Sequence, residues 1–353
     1  MKTTFLFLFM IFSLISNSQN IPLYVGTYTD ETSEGIYCYD FNIETGEISN
    51  QKLAAKVTNP SFLSYSKNRK FLYAVSEVAD FKNTNSGFVS AFSVTENGFL
   101  QFINSVSSNG AHPCHIQLND ENAVISNYTG GTISIHKVKK NGEIKPANQI
   151  IDHNAPNKKS HTHSTKFLNN ELFVADLGLD FLAHYVKIGN EYLLNEKYLM
   201  GEKSGPRHFE ISKNGDFIYV INELNSTIIV LKKGKEKYNQ IQNISTLNDG
   251  FEGESFCADI HLSQNENYLY GSNRGENSMV VFKRDTLGTI QKTQTISVNG
   301  DWPRNFTISP NGKFLLVANQ KSKNISVYEV AIKTGNLTFL YSKNTPTPVC
   351  LLF

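Results

Sequence analysis

Apolar and polar residues alternate in short runs along most of the chain, and the runs come in pairs. The clearest pair lies between Gly205 and Leu224, GPRHFEISKNGDFIYVINEL. Phe209-Glu-Ile211 forms one run and Phe217 to Ile221 the next, with Lys213-Asn-Gly215-Asp216 between them. A period of two marks strands, and Asn-Gly between two such runs marks a hairpin. Hairpin strands pair antiparallel, so residues equidistant from the turn are expected to face each other. Arg207 and Glu223 are equidistant from Gly215. The pattern therefore predicts a guanidinium beside a carboxylate at the open end of this hairpin.

The same pattern recurs seven times. The repeats open at Asn59-Pro-Ser61, His112-Pro-Cys114, His161-Thr-His163, Gly205-Pro-Arg207, Phe256-Cys-Ala258, Trp302-Pro-Arg304 and Thr347-Pro-Val349. Neighbouring openings lie 44 to 53 residues apart, the period of a four-stranded propeller blade. The two ends of the chain complement each other. From Leu23 the first repeat starts on its second strand, and Thr347 to Phe353 is a first strand with nothing after it. Pairing them closes a ring of seven blades and removes two exposed strand edges. The expected fold is all-β, a seven-bladed β-propeller of four-stranded antiparallel blades, closed by the C-terminal strand and occupying residues 19–353 as one domain.

Residues 1–18 read differently. Lys2 precedes an apolar run from Phe5 to Ile15, and Ser16-Asn-Ser18 follows. This order is that of a secretory signal peptide, with Gln19 as the mature N-terminus, and the run is too short to span a bilayer. A periplasmic or secreted protein is expected, with no membrane association after cleavage. With 33 Lys and Arg against 32 Asp and Glu, and no basic run, nucleic acid is not the expected partner. Four cysteines in an exported chain invite a disulfide. Cys114 and Cys257 fall in different blades, however, and Cys38 and Cys350 fall two strands apart. Two strand spacings are about 9.6 Å, beyond the reach of a bridge, so four free thiols are expected.

The first strand of a propeller blade lines the central channel, and equivalent positions form rings around it. One ring holds His163, Arg207 and Arg304. The ends of the second strands supply Glu77, Glu223, Arg274 and Gln320, and the hairpin geometry puts both sets at one mouth. His161, His115, His208 and Asp259 lie close by, and Asp176 and Asp180 sit on a neighbouring loop. Three arginines facing one space suit a carboxylate or phosphate ligand. His161 and His163, two apart on a strand, face one side and could share a metal with Asp259 or His208. The three guanidinium charges oppose a dication there, so hydrogen-bonded neutral histidines and no metal are expected.

Gly205-Pro-Arg-His208, Asn222-Glu-Leu224, Ser272-Asn-Arg-Gly275, Pro303-Arg304 with Phe306, and Ala318-Asn-Gln320 together resemble the lactonase family of seven-bladed propellers. That family includes the propeller-type 6-phosphogluconolactonases and the related carboxy-muconate cyclases. Tyr24-Val-Gly-Thr-Tyr-Thr29 and Asp176-Leu-Gly-Leu-Asp180 fit as well. The resemblance implies hydrolysis of a sugar lactone, or ring closure in the cyclase branch, without a cofactor. It implies a catalytic set of His163, or its neighbour His161, with Arg207, Glu223 and Arg274. Arg304 and Gln320 are added as ligands for an anionic group on a small lactone substrate, and His161, His208, Asp176 and Glu77 as further substrate-binding groups. Lactone hydrolysis needs a base for water and donors for the oxyanion. Glu223 or His163 can be the base, and Arg274 or Arg207 the donor. No nucleophile elbow is evident, which favours direct attack by water. A propeller that binds a ligand or protein at the same mouth without turnover is the alternative, because fold does not fix function.

Overall fold

The computed structural model describes residues 20–353; the expected signal peptide and its cleavage site lie outside the described residues. Seven four-stranded antiparallel sheets are arranged as blades around a central channel. Blade 1 is built from both ends of the chain. Its order is Pro348–Leu352, Asn20–Thr27, Gly35–Asn42 and Ile48–Lys56, so the last strand is the innermost of the first blade. The other six blades each use four consecutive strands. The one helical element among the described residues is a 3-10 turn, Phe81–Asn83.

The core lies between blades rather than within one. In the second strand of blade 5, Phe217–Asn222, every residue is buried. Phe217, Tyr219 and Ile221 pack with Leu269 and Val280 of blade 6. Ile218 and Val220 pack with Phe173 and Ala175 of blade 4. The period of two therefore selects which neighbouring blade a side chain meets, not inside against outside. A tyrosine latch recurs between blades. The hydroxyls of Tyr24, Tyr73, Tyr219 and Tyr270 donate to the carbonyls of Gly98, Gly142, Gly288 and Gly335, at 2.9 to 3.0 Å. Each acceptor sits in the last turn of the following blade with φ between 72° and 87°, a conformation that favours glycine. At Gly288 an added Cβ would also come within 2.1 Å of the Phe217 ring.

All four cysteines are buried and free. Cys38 and Cys350 stand on strands separated by Asn20–Thr27, as the strand count predicted.

The register differs from the expectation at the point that matters most for the channel. In blade 5, Pro206 pairs with Asn222 and His208 with Ile221, leaving Arg207 unpaired in a β-bulge. Arg207 and Glu223 are therefore not cross-strand partners. The same bulge isolates Cys114, His163 and Arg304 in blades 3, 4 and 7. A bulge inserts one residue and re-aims its side chain. Here it is the shared device that turns one residue per blade toward the channel mouth.

Candidate functional site

The bulge residues of the inner strands and the last residues of the second strands meet at one end of the channel. Glu223 follows the strand Phe217–Asn222, and its N–H donates to the Gly205 carbonyl at 2.7 Å. Its carboxylate serves two guanidiniums. Oε2 lies 2.7 Å from Arg274 Nη2 and 3.0 Å from Arg207 Nε. The Arg207 contact is one of charge, because its Nε–H is not aimed along a hydrogen bond. Arg207 also donates through Nη1 to the Ala258 carbonyl. Arg274 is fixed further by the carbonyls of Phe256 (3.2 Å) and Cys257 (3.0 Å). Only 2% of Arg207 is exposed.

Across the mouth Arg304 Nη2 is 3.7 Å from Glu77 Oε2, and the Tyr28 hydroxyl donates to the same oxygen at 2.8 Å. Three positive charges thus face two negative ones. Burial and the neighbouring Arg274 and Arg304 push the Arg207 guanidinium down to about 10, so it stays charged at neutral pH but is incompletely compensated. Burial raises the Glu223 carboxyl, but Arg274 and Arg207 outweigh it and hold it below the ordinary range. Glu223 is ionised and engaged, which suits an anchor for the two arginines better than a base. Gln320 adds an acceptor, for its side-chain oxygen is buried without a partner.

His163 and His161 do not converge. The Tyr128 ring stands against both, stacked on His161 at 4.5 Å and edge-on to His163 at 5.7 Å. His161 Nδ1 is bonded to the Tyr128 carbonyl at 2.9 Å. Among the described residues no three His, Cys, Asp or Glu side chains cluster as metal ligands do. His163 is buried and its Nδ1 has no partner. Burial first, then Arg207 and His208, hold its imidazolium well below the usual range, so the ring is neutral.

Three residues expected at or beside the mouth, Asp176, Asp180 and His208, are held by other partners. Asp176 is fully enclosed. His153 Nδ1 (2.8 Å) and Ser160 Oγ (2.6 Å) reach one oxygen, and the N–H groups of His161 and Leu179 (3.1 Å each) reach the other. It pins the loop that carries His161. Asp180 does the same for the next blade, accepting from Lys203 N at 2.8 Å and Gly205 N at 2.7 Å. His208 directs Nδ1 to Asp259 at 2.6 Å and lines a 210 Å³ cavity beneath the mouth with Phe62, His115, Lys166, His261 and Asn305, its ring centre 5.1 Å from that of His163. Being one residue beyond the bulge, His208 pairs with Asp259 while Arg207 meets Glu223.

Three residues of the mouth were not singled out by sequence. Tyr28 bonds Glu77, Tyr128 lies against His161 and His163, and Trp302 lies 5.2 Å from the Arg274 guanidinium and 3.4 Å from Lys321 Nζ. All three immediately adjoin or belong to the repeat openings and strand ends, which was the available signal.

Below the mouth a chain of charges holds Asp259. His261 Nε2 is 3.2 Å from Asp259 and its Nδ1 is 2.9 Å from Glu210, which pairs with Lys166 at 2.9 Å. Burial disfavours the His261 imidazolium, but Asp259 and Glu210 prevail and raise it to about 10. A raised pKa gives stability that is complete below the unfolded value and is lost as pH rises through the folded one. Thermal melts from pH 6 to 10 should therefore show a fall in Tm that His261→Gln lacks. Parallel curves for the two proteins would show that His261 is not held charged.

The comparisons with known proteins agree with the seven-bladed fold. The sequence model of the lactonase family, described as a 7-bladed beta-propeller, matches residues 22–353. A Bacillus subtilis 6-phosphogluconolactonase is 32% identical over 344 residues, covering 94% of this chain and 97% of its own. A Formosa agariphila 6-phosphogluconolactonase is 33% identical, covering 89% and 94%. The solved structure of a Pseudomonas aeruginosa periplasmic gluconolactonase superposes with a TM-score of 0.88 at 29% identity, over 94% of this chain and 98% of that one. The chain belongs to the lactonase family of seven-bladed β-propellers.

Proposed function

We propose that this protein hydrolyses a sugar lactone at the arginine-lined mouth, with water as the nucleophile. The observation that carries the reading is a neutral, buried His163 within electrostatic reach of Arg207, whose guanidinium shares the Glu223 carboxylate with Arg274. His163 takes a proton from water as the water oxygen bonds to the lactone carbonyl carbon. Negative charge develops on the carbonyl oxygen, where Arg207 and Arg274, fixed by Glu223, stabilise it. The ring C–O bond then breaks, and the leaving oxygen takes the proton back from His163. Arg304, with Glu77 and Tyr28 behind it, holds the polar or anionic end of the substrate. The reaction uses no group beyond these side chains.

The signal pattern of residues 1–18 supports action outside the cytoplasm, and with it an unphosphorylated aldonolactone as the substrate. N-terminal sequencing of the exported protein should begin at Gln19; a retained Met1 on cytoplasmic protein would remove this part of the reading.

Steady-state kinetics on a lactone panel, with spontaneous opening subtracted, tests the site. His163→Ala should lower kcat by about 10²–10⁴-fold, the usual contribution of a general base. Arg304→Ala should chiefly raise KM, the mark of lost uniform binding. If both variants keep parental kcat/KM, the chemistry is elsewhere, and if no lactone is turned over, the mouth is a binding site only.

A further inference from the structure

His163 and His208 present complementary deficits. Asp259 accepts from His208, His261, Asn305 Nδ2 and the N–H groups of Ile260 and Phe306. Burial opposes its charge, but the contacts with His261 and His208 hold it well below the ordinary carboxylate range. An ionised carboxylate can only accept, so the His208 nitrogen facing it, Nδ1, carries a proton. Burial pushes His208 down to about 4 despite Asp259, so the ring is neutral and its other nitrogen is bare. That nitrogen, Nε2, is buried with no partner. It is an acceptor lacking a donor.

His163 has the opposite need. To take a proton from water through Nε2, the ring must carry its own proton on Nδ1. That Nδ1 is buried and has no partner, and buried donors are rarely left so. The two rings lie with centres 5.1 Å apart at 68°. Among the described residues no other bare, buried imidazole acceptor adjoins His163: His115 Nδ1 is met by the Thr165 N–H at 3.4 Å, and His161 is only half-buried and stacks on Tyr128.

We propose that Asp259 and His208 are positioning residues for His163: Asp259 fixes His208 with Nε2 bare, and His208 Nε2 accepts from His163 Nδ1–H, directly or across one water. The chain orients His163 with Nε2 free for the proton of the attacking water. The negative charge of Asp259 then stabilises the imidazolium formed in the transition state, the service a carboxylate gives a catalytic histidine. A second imidazole between them carries that service across the channel. This rests on the base role given to His163 above.

The experiment uses the mature protein, glucono-1,5-lactone or whichever lactone of the panel is turned over, and long-range ¹H–¹⁵N spectra of the histidines assigned by loss of signal in His163→Ala. The expected result is a Nδ1–H tautomer for His163 that becomes mixed or Nε2–H in His208→Leu and Asp259→Asn. Both variants should lose about 10- to 100-fold in kcat, part of what a general base supplies, with KM within about twofold. His208→Gln, which restores an acceptor, should recover part of the rate. His208→Leu leaves the other donors to Asp259 in place, so it serves if Asp259→Asn fails to fold. A Nε2–H tautomer in the parent, or a tautomer and kcat unchanged in His208→Leu, overturns the proposal while leaving the mouth as the site. Full activity in His163→Ala overturns the base role itself, and the relay with it.

Discussion

Glu223→Gln is expected to cost both activity and stability. Its carboxylate is the shared counter-ion of Arg207 and Arg274, which are 2% and 5% exposed. Removing one member of a buried ion pair leaves the partner charge uncompensated, at about 3–5 kcal/mol. The side chain of Glu223 keeps 16% exposure, so water screens part of this and the lower end applies. The catalytic effect follows from the same contact. Two guanidiniums that repel each other lose the oxygen that holds them, and losing one well-placed oxyanion donor costs about 10²–10³-fold in kcat. The variant should therefore melt several degrees lower and lose at least about 10² in kcat, and an added carboxylate or phosphate should raise its Tm more than it raises the parent's. Parental melting and turnover in Glu223→Gln would show that the main-chain carbonyls of Ala258, Phe256 and Cys257 hold the arginines without it.

Deleting Thr347 to Phe353 is expected to abolish folding. The segment pairs with Asn20–Thr27 through Tyr24↔Leu352, Val25↔Leu351, Gly26↔Cys350 and Thr27↔Pro348. It buries Val349, Cys350, Leu351 and Phe353. Leu351 and Phe353 pack with Leu23, Val25 and Phe41 in one core cluster. Burying a large apolar side chain contributes about 1.5–3 kcal/mol, so the loss approaches the 5–15 kcal/mol that typically separates folded from unfolded protein. The deletion also opens the Asn20–Thr27 edge and removes the Leu351 N–H that donates to Asn305 Oδ1 at 2.7 Å. Asn305 is itself a donor to Asp259, so damage at the seam reaches the channel. Leu351→Ala, a milder probe, should cost about 2–5 kcal/mol. A soluble truncated protein with the parental Tm would mean that the ring holds without its closing strand.

The sequence by itself determined the ring. Hydrophobic periodicity and turn residues are local properties, and seven repeats at nearly constant spacing left little freedom in blade number or in how the ends meet. It also brought Arg207, Arg274, Arg304, Glu223 and Glu77 together at one end, because ring membership depends on counting from the repeat openings, but it did not separate them from His208, Asp176 and Asp180. The orientation of each side chain was decided by the tertiary structure. A β-bulge adds one residue without disturbing the apolar pattern on either side, so Arg207 and Glu223 looked like cross-strand partners when Arg207 stands in a bulge. The one-residue offset also sends His208 down the channel to Asp259. The engagement of Asp176 by His153 and Ser160, and the sharing of Glu223 between arginines of two blades, depend on contacts between segments far apart in the chain. Such partners are fixed by blade packing and side-chain reach, which a pattern of period two does not encode.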